Sequence, residues 1–368
     1  MTRFDLLLVG FGHVAQRFVT LLEEQRARLA LEHGVAARVV AVITRRHGQA
    51  YAARGLDAAS LARRAARGGM IGGTTAGPVS TALIRKMAGA SAASGEGRLV
   101  LVETTTLDIA RGQPAIDHVR AGLTSGAHVI TANKGPAAFA YRALAQTAKR
   151  AGRRFLFEGA VMDGIPIFNL VRETLPAVKI LGFRGVVNST TNYILTAMEA
   201  GQPFEEALAE MQGAGIAEAD ASLDVDGWDA AAKTAALANV LLDARLTPPR
   251  VERQGITAAI GARATSARDA GRRLKLVATA GRDGNRVSAR VAPEELSEDD
   301  LLAGLEGQQN AIILHTDLLG EIAIVQRGAG LTQTAYALLS DLVTIGRDVS
   351  AHPPDRRGRS RAHRDRSL

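Results

Sequence analysis

Phe4-Asp5-Leu6-Leu7-Leu8-Val9 runs directly into Gly10-Phe11-Gly12-His13-Val14-Ala15. A short apolar run of this kind suits a buried strand, and Val14, Phe18, Leu21 and Leu22 then recur at helical spacing after the glycines. The helix is expected to continue to Gly34, after which Ala37-Arg38-Val39-Val40-Ala41-Val42-Ile43 returns as a second buried strand. A Gly-x-Gly-x-x-Ala turn at the first junction of such a βαβ unit suits a dinucleotide. The first glycine permits the tight turn, the second lets the backbone approach a pyrophosphate, and the helix N-terminus faces the phosphates. Glycines alone would be weak evidence, and their weight comes from strand, turn, helix and strand standing in order. Gly10, Phe11, Gly12, His13 and Val14 are therefore candidate cofactor contacts.

The alternation continues. A strand is expected over residues 99–103, a helix opened by Pro114 and closed by Gly126, a strand over 128–132, a helix over 136–152 and a strand over 154–158. Strands alternating with helices imply a parallel sheet, so residues 1–150 read as a Rossmann-type α/β domain. From about residue 159 the texture changes to a strand near 180–187, three helices near 191–200, 205–214 and 228–242, and antiparallel strands between 274 and 325 that include the turn signal Asp283-Gly284. This second unit, 151–320, reads as an α+β substrate and dimerisation domain. A last helix near 332–348 is expected to complete the first domain.

Composition narrows the chemistry. The 368 residues include no cysteine, which excludes disulfides, thiolate zinc sites and cysteine nucleophiles. The formal charge of +8 falls to +4 without the segment 352–368, which holds six Arg and two Asp and has the low hydrophobicity of a disordered tail. No aromatic residues interleave its arginines, so neither a nucleic-acid nor a membrane partner is expected. No apolar run is long enough to span a bilayer and no leader pattern opens the chain, which points to the cytoplasm. Lysine is scarce, with six residues among the 45 basic ones. Where lysine persists, a releasable proton can be the reason, since Arg does not give one up near neutral pH.

After the second strand, Thr44-Arg45-Arg46 stands where an NAD site usually offers a carboxylate to the ribose hydroxyls. Two guanidinium groups fit a 2′-phosphate better, which favours NADP over NAD, although exposed arginines in an Arg-rich chain give the same pattern. Downstream, Glu218, Asp220, Asp224, Asp226 and Asp229 precede the single Lys233. A calcium loop does not fit, because the positions requiring Gly and Glu fall on Val225 and Ala231. Asp229 and Lys233 stand four apart and share one helix face. That spacing suits an ordinary surface pair, while the flanking alanines leave too little polar surface for a fully exposed helix. Several carboxylates beside one amine could receive a zwitterionic amino acid, with the lysine handling an oxygen proton.

The stretch Gly185-Val186-Val187-Asn188-Ser189-Thr190-Thr191-Asn192-Tyr193-Ile194-Leu195, followed by Ala217-Glu218-Ala219-Asp220 and by Asp224-Val225-Asp226-Gly227-Trp228-Asp229 through Lys233, resembles homoserine dehydrogenase. The similarity covers residues 4–348 and includes Thr131-Ala132-Asn133-Lys134, residues 158–166 and Gly328-Ala329-Gly330. It implies NAD(P)-dependent interconversion of L-homoserine and L-aspartate 4-semialdehyde, on the route to threonine and methionine, by a homodimer. It further implies that Lys233 and Lys134 serve proton transfer, and that Glu218, Asp229 and Asp224 hold substrate in a pocket completed by Ser189, Thr190 and Gly215. Thr104, Lys134 and Gly328 join the expected cofactor contacts. A Na⁺ or K⁺ site would use Glu158 with the backbone carbonyls of Val161, Asp163 and Ile165.

Several positions depart from the family pattern. Ala221 replaces a proline, an aromatic is missing near Ile216, Ser189 replaces a common glycine, and Gln326 and Gln333 replace a glycine and a proline near the cofactor. These bear on cofactor geometry more than on reaction type. No C-terminal regulatory domain is expected. The rival readings are a non-catalytic dinucleotide-binding regulator, which loss of Lys134 or Lys233 would favour, and an amino-acid dehydrogenase acting at the amine.

Overall fold

The structure, a computed structural model, describes residues 1–72, 79–94, 97–213, 220–328 and 330–351. The expected tail at 352–368 and the candidate substrate contacts Gly215 and Glu218 lie outside these residues, as does Ile216.

The first part of the chain contains β1 (Thr2–Val9), α1 (His13–Glu24), α2 (Arg26–His33), β2 (Val35–Ile43), β3 (Gln49–Tyr51), α3 (Ala58–Ala66), α4 (Thr81–Ser94), β4 (Arg98–Glu103), α5 (Ala115–Thr124), β5 (His128–Thr131), α6 (Lys134–Ala151) and β6 (Phe155–Leu156). Its strands form one sheet in the order β3-β2-β1-β4-β5-β6. From β2 to β6 every pairing is parallel, as the alternating pattern predicts. The short β3, which the sequence pattern does not announce, adds an antiparallel edge beside β2. The turn between them is too short for a crossover. Thr44 closes it by donating its N–H and Oγ1–H to the Gly48 carbonyl at 2.9 and 3.0 Å. The expected single first helix is also divided: Gln25 leaves the helical region at φ −99°, ψ 4°, and α2 starts at the next residue.

The second part adds α7 (Ile167–Asn169), β7 (Ile180–Val186), α8 (Ser189–Glu199), α9 (Phe204–Gly213), α10 (Ser222–Val225), α11 (Trp228–Leu241), β8 (Glu252–Arg253), α12 (Gly261–Asp269), β9 (Arg272–Asp283), β10 (Arg286–Ser297), β11 (Asn310–Thr316), β12 (Glu321–Gln326) and α13 (Leu331–Ala351). Its sheet runs β12-β11-β7-β9-β10-β8 and is antiparallel except for the short β10–β8 pairing. The turn signal at Asp283-Gly284 closes the β9–β10 hairpin, with Gly284 at φ +55°.

Two layers of apolar side chains position everything else. One face of the first sheet is covered by α1, α3 and α13, where Phe18, Leu61, Leu338 and Leu342 meet Phe4, Leu6 and Val42. Each fully buried Leu or Phe here contributes about 1.5–3 kcal/mol. Helix α13 thus rejoins the first sheet from the far end of the chain. On the opposite face a continuous core runs from Leu7, Val9 and Leu101 through Ala137 and Ala138 of α6 to Ala231, Ala235 and Ala238 of α11 and on to Leu276 of β9. The alanines of α11 are buried, as its poverty in polar side chains suggests, and their small size lets α11 lie close against α6. Among the described residues, no helix is long and apolar enough to cross a membrane.

His128, at the start of β5, is buried, and its Nδ1 accepts the Arg154 N–H at 3.1 Å. Burial, followed by the charges of Arg153, Arg98 and Arg154, pushes its pKa down to about 4. The folded state therefore resists a proton that the unfolded chain accepts near pH 6.5. Stability held by neutral His128 should be present above about pH 6.5 and be lost as pH falls through about 4, by roughly 3 kcal/mol in all. Urea unfolding at pH 7 and pH 5 should show a shallower acid loss in His128→Asn than in the parent chain. Identical losses would remove His128 as the cause.

Candidate active site

The parallel register brings three strand ends level. Val9 pairs with Glu103 and Glu103 with Thr131, so that Gly10, Thr104 and Ala132 emerge side by side. Gly10 has φ +90°, and a Cβ there would lie 2.8 Å from the carbonyl of Thr104, so only glycine serves this turn. Gly12 precedes α1 with no side-chain cap. The first N–H groups of α1 therefore remain available to an anionic ligand, as a dinucleotide site requires. Phe11 is buried beneath the turn, His13 is exposed and Val14 is half-buried. Arg45 and Arg46 are both exposed in the turn after β2, beside the strand that carries Gly10.

A buried carboxylate organises the next two strand ends. Glu103 Oε1 accepts the N–H of Thr105 at 3.0 Å and also its hydroxyl, while Oε2 accepts Thr131 Oγ1–H at 2.9 Å. Thr131 Oγ1 in turn accepts the Asn133 N–H at 2.9 Å. Asn133 caps α6 by accepting the Gly135 N–H at 2.8 Å, and its amide donates to the Thr105 carbonyl at 2.8 Å. Lys134 is thereby fixed as the first residue of α6.

From the second sheet, β7 ends at Val186 and Asn188 caps α8 by accepting the Thr191 N–H at 2.8 Å. The same Asn188 amide donates to Asp224 Oδ1 at 2.7 Å and to Asp229 Oδ2 at 2.9 Å. Asp229 sits in the first turn of α11, where the helix dipole favours a negative charge. Its two oxygens hold the two lysines, with Lys134 Nζ on Oδ1 at 3.0 Å and Lys233 Nζ on Oδ2 at 2.9 Å. Lys233 also donates to the Val187 carbonyl at 2.7 Å. The three side chains are only 23% (Lys134), 12% (Lys233) and 16% (Asp229) exposed, so this is not the solvated pair that the spacing also permits.

Charge follows geometry. Burial pulls the Lys233 ammonium down, but Asp229, Asp163 and Asp224 outweigh it and hold its pKa above the ordinary lysine value. Burial pushes Asp229 up, and the two lysines more than reverse this and keep it well below the usual carboxylate range. Asp224 is raised by burial and by Asp229. Lys134 and Lys233 line a cavity of about 270 Å³ with Val14, Thr104, Thr105 and Asp163. Strand ends, the start of α1 and the lysines therefore face one space.

Two family models divide the chain between them: the NAD-binding domain of homoserine dehydrogenase matches residues 10–158, and homoserine dehydrogenase matches residues 166–343. The NAD(+)-dependent homoserine dehydrogenase of Pseudomonas canavaninivorans is 39% identical over 349 residues, covering 94% of this chain and 97% of that protein. The chain belongs to the homoserine dehydrogenase family. The homoserine dehydrogenase of Methanocaldococcus jannaschii is 35% identical and covers 93% of this chain and 98% of its own length. The crystal structure of a homoserine dehydrogenase from Thiobacillus denitrificans superposes with a TM-score of 0.79 at 29% identity, covering 97% of this chain and 76% of that one. Members of this family are NAD(P)-dependent oxidoreductases acting on an alcohol group.

The remaining candidates lie on several elements. Ser189 Oγ accepts the Asn310 amide at 2.8 Å and Thr190 is buried beside it. Thr104 donates Oγ1–H to the Val9 carbonyl at 3.4 Å. Gly328 is exposed near the start of α13, beside a second cavity that Gln326 and Gln333 share with Asp163. Ala221 is buried against Met211. Glu158 is buried; Oε1 and Oε2 accept the N–H groups of Phe168 at 2.9 Å and Asn169 at 2.6 Å. Val161 is also buried, and the Ile165 carbonyl accepts the Ile167 N–H at 2.8 Å. Sequence reading passed over Asn188, Glu103 and Asn133. Asn188 and Asn133 each stand directly before a helix, a capping signal that could have drawn attention to them. Nothing local marks Glu103.

Proposed function

We propose that this chain interconverts L-homoserine and L-aspartate 4-semialdehyde, with Lys134 and Lys233 carrying the proton of the reacting oxygen. The observation that supports this most directly is the sharing of Asp229 by two lysines from opposite halves of the chain, at the mouth of the dinucleotide-type turn. The glycine turn packed on Thr104, the uncapped start of α1 and the cavity beyond them suit a nicotinamide dinucleotide, which when bound supplies or accepts the hydride. The ammonium groups then stabilise negative charge developing on the substrate oxygen, and one of them exchanges a proton with it. Asp229 orients both amines and Asp224 stands behind it for the substrate ammonium, while the family resemblance adds Glu218, Ser189, Thr190 and Gly215 as substrate contacts. Purified protein mixed with homoserine and NAD⁺ or NADP⁺ should produce reduced cofactor, read by its absorbance. A protein that binds cofactor and turns over neither pair would overturn the assignment.

Arg45 and Arg46 support NADP as the preferred cofactor, since their exposed guanidinium groups can make charge-assisted bonds to a 2′-phosphate. The P. canavaninivorans relative is named for NAD⁺, so the two arginines are the point to test. Replacing both with Ala should weaken NADP⁺ binding by about tenfold or more and leave NAD⁺ nearly unchanged in calorimetric titrations. Equal losses for both would remove the arginines from cofactor choice.

A monovalent cation held by Glu158 and the carbonyls of Val161, Asp163 and Ile165 belongs to the same reading. As placed here, both Glu158 oxygens are engaged by backbone N–H groups and the Ile165 carbonyl by Ile167. A cation bound here would share these oxygens with their N–H partners. A homodimer is supported by apolar side chains that stand out from the second sheet, Leu181 at 47% and Val325 at 43% exposure. Sedimentation of the purified chain tests it.

A further inference from the structure

Met162 and Asp163 are successive non-glycine residues in the left-handed region, at φ +52° and φ +45°. Such positions cost free energy and persist where the surroundings impose them. Here the next residue, Gly164 at φ +93°, lies so close to α13 that a Cβ would stand 2.3 Å from the Gln333 carbonyl oxygen. The bend places the half-buried Asp163 on the wall of the 270 Å³ cavity that Lys134 and Lys233 also line. Its Oδ1 accepts the Thr334 hydroxyl at 3.2 Å.

Asp163 is the one acidic side chain on that wall among the described residues. It is also one of the charges that hold Lys233 above the ordinary lysine value. Direct pairing falls to Asp229, which bridges both lysines, while Asp224 stands behind Asp229 on the shared Asn188 amide. Asp163 therefore makes the space above the strand ends more negative than it would be without that carboxylate. An oxidised nicotinamide ring is cationic and a reduced one neutral, so a carboxylate on the wall discriminates between them where size and shape do not.

We infer that Asp163 is a specificity-determining residue that raises the affinity of this site for oxidised over reduced nicotinamide cofactor. This rests on the reading that the cavity receives the nicotinamide ring. Asp163→Asn tests it, because Asn tolerates the left-handed backbone and keeps a carbonyl acceptor for Thr334 while removing the charge. Dissociation constants for NAD⁺ and NADP⁺ by calorimetry, and for their reduced forms by fluorescence, should show the preference for the oxidised form falling about three- to tenfold in Asp163→Asn. Asp163→Gly should lower it equally without loss of thermal stability, since glycine relieves the backbone. Thr334→Val, which removes the hydroxyl's bonds to Asp163 and Gly330 but keeps the Asp163 charge, should leave the preference intact. If Thr334→Val reproduced the change and Asp163→Asn did not, Asp163 would be a latch to α13 and the inference would fall. Ala132→Leu, which fills the cavity, separates the two levels of argument. If it weakens both redox forms while Asp163→Asn leaves their ratio unmoved, the ring sits there and the inference is wrong. If it weakens neither form, the reading of the cavity fails, and the inference with it.

Discussion

Replacing Lys233 with alanine should lower turnover by roughly 10²–10⁴-fold, the range for loss of a positioned acid or base, with the protein still folded and binding cofactor. The expectation rests on geometry. Lys233 Nζ is held between Asp229 at 2.9 Å and the Val187 carbonyl at 2.7 Å, at 12% exposure, so water is poorly placed to substitute for it. Lys233→Arg separates proton transfer from charge. The guanidinium keeps a cation but does not release a proton near neutral pH, and its planar fork does not fit a site built for a compact ammonium. Large losses in both variants support proton transfer through Lys233. Near-normal turnover in the Arg variant would make Lys233 an electrostatic anchor and leave the proton to Lys134.

Asp229→Asn should be nearly as damaging, and for two reasons. The amide keeps the shape but leaves two mostly buried ammonium groups facing each other without the carboxylate that holds both, a change expected to cost about 2–3 kcal/mol of stability after allowing for partial exposure. The lysines then lose their fixed positions, so turnover should fall by about 10² or more. The sign with pH is defined. Burial raises the Asp229 carboxyl, but Lys134 and Lys233 bring it below the usual range. The stability of this pairing is thus present above the unfolded carboxyl value of about 3.9 and is lost as pH falls through the lower folded value. Asp229 also raises Lys233, so its removal should shift the alkaline limb of activity to lower pH. A pH–rate profile of Asp229→Asn that overlays that of the parent chain, with turnover unchanged, would place Asp229 outside the site.

Local physics explains how much could be read from the chain alone. The turn at Gly10 and Gly12 is legible because a strand, a φ > 0 position and a helix start are consecutive. The burial of α11 is legible because its alanines leave it no polar face. Nothing near Gln25 announces a helix break, since neither glycine nor proline marks it. β3 is invisible for a related reason: Gln49-Ala50-Tyr51 is too short to show alternation, and only the Thr44–Gly48 turn brings it back against β2.

At the site the division is between residue types and their pairing. The sequence alone determined a dinucleotide-type turn, two lysines of interest and an acid-rich segment ahead of Lys233, because each is a property of neighbouring residues. Only the tertiary structure decided that Asp229 serves Lys134 as well as Lys233, since Lys134 arrives on α6 from the first sheet and its position is set by the Glu103, Thr131 and Asn133 chain. The placement of the Asp163 side chain was decided there too. From sequence it stands for a backbone carbonyl, but the close packing of Gly164 on Gln333 turns the chain so that its carboxylate faces the lysines. Contacts between distant segments depend on how two sheets and α13 close over one another, and no local pattern of residues encodes that distance.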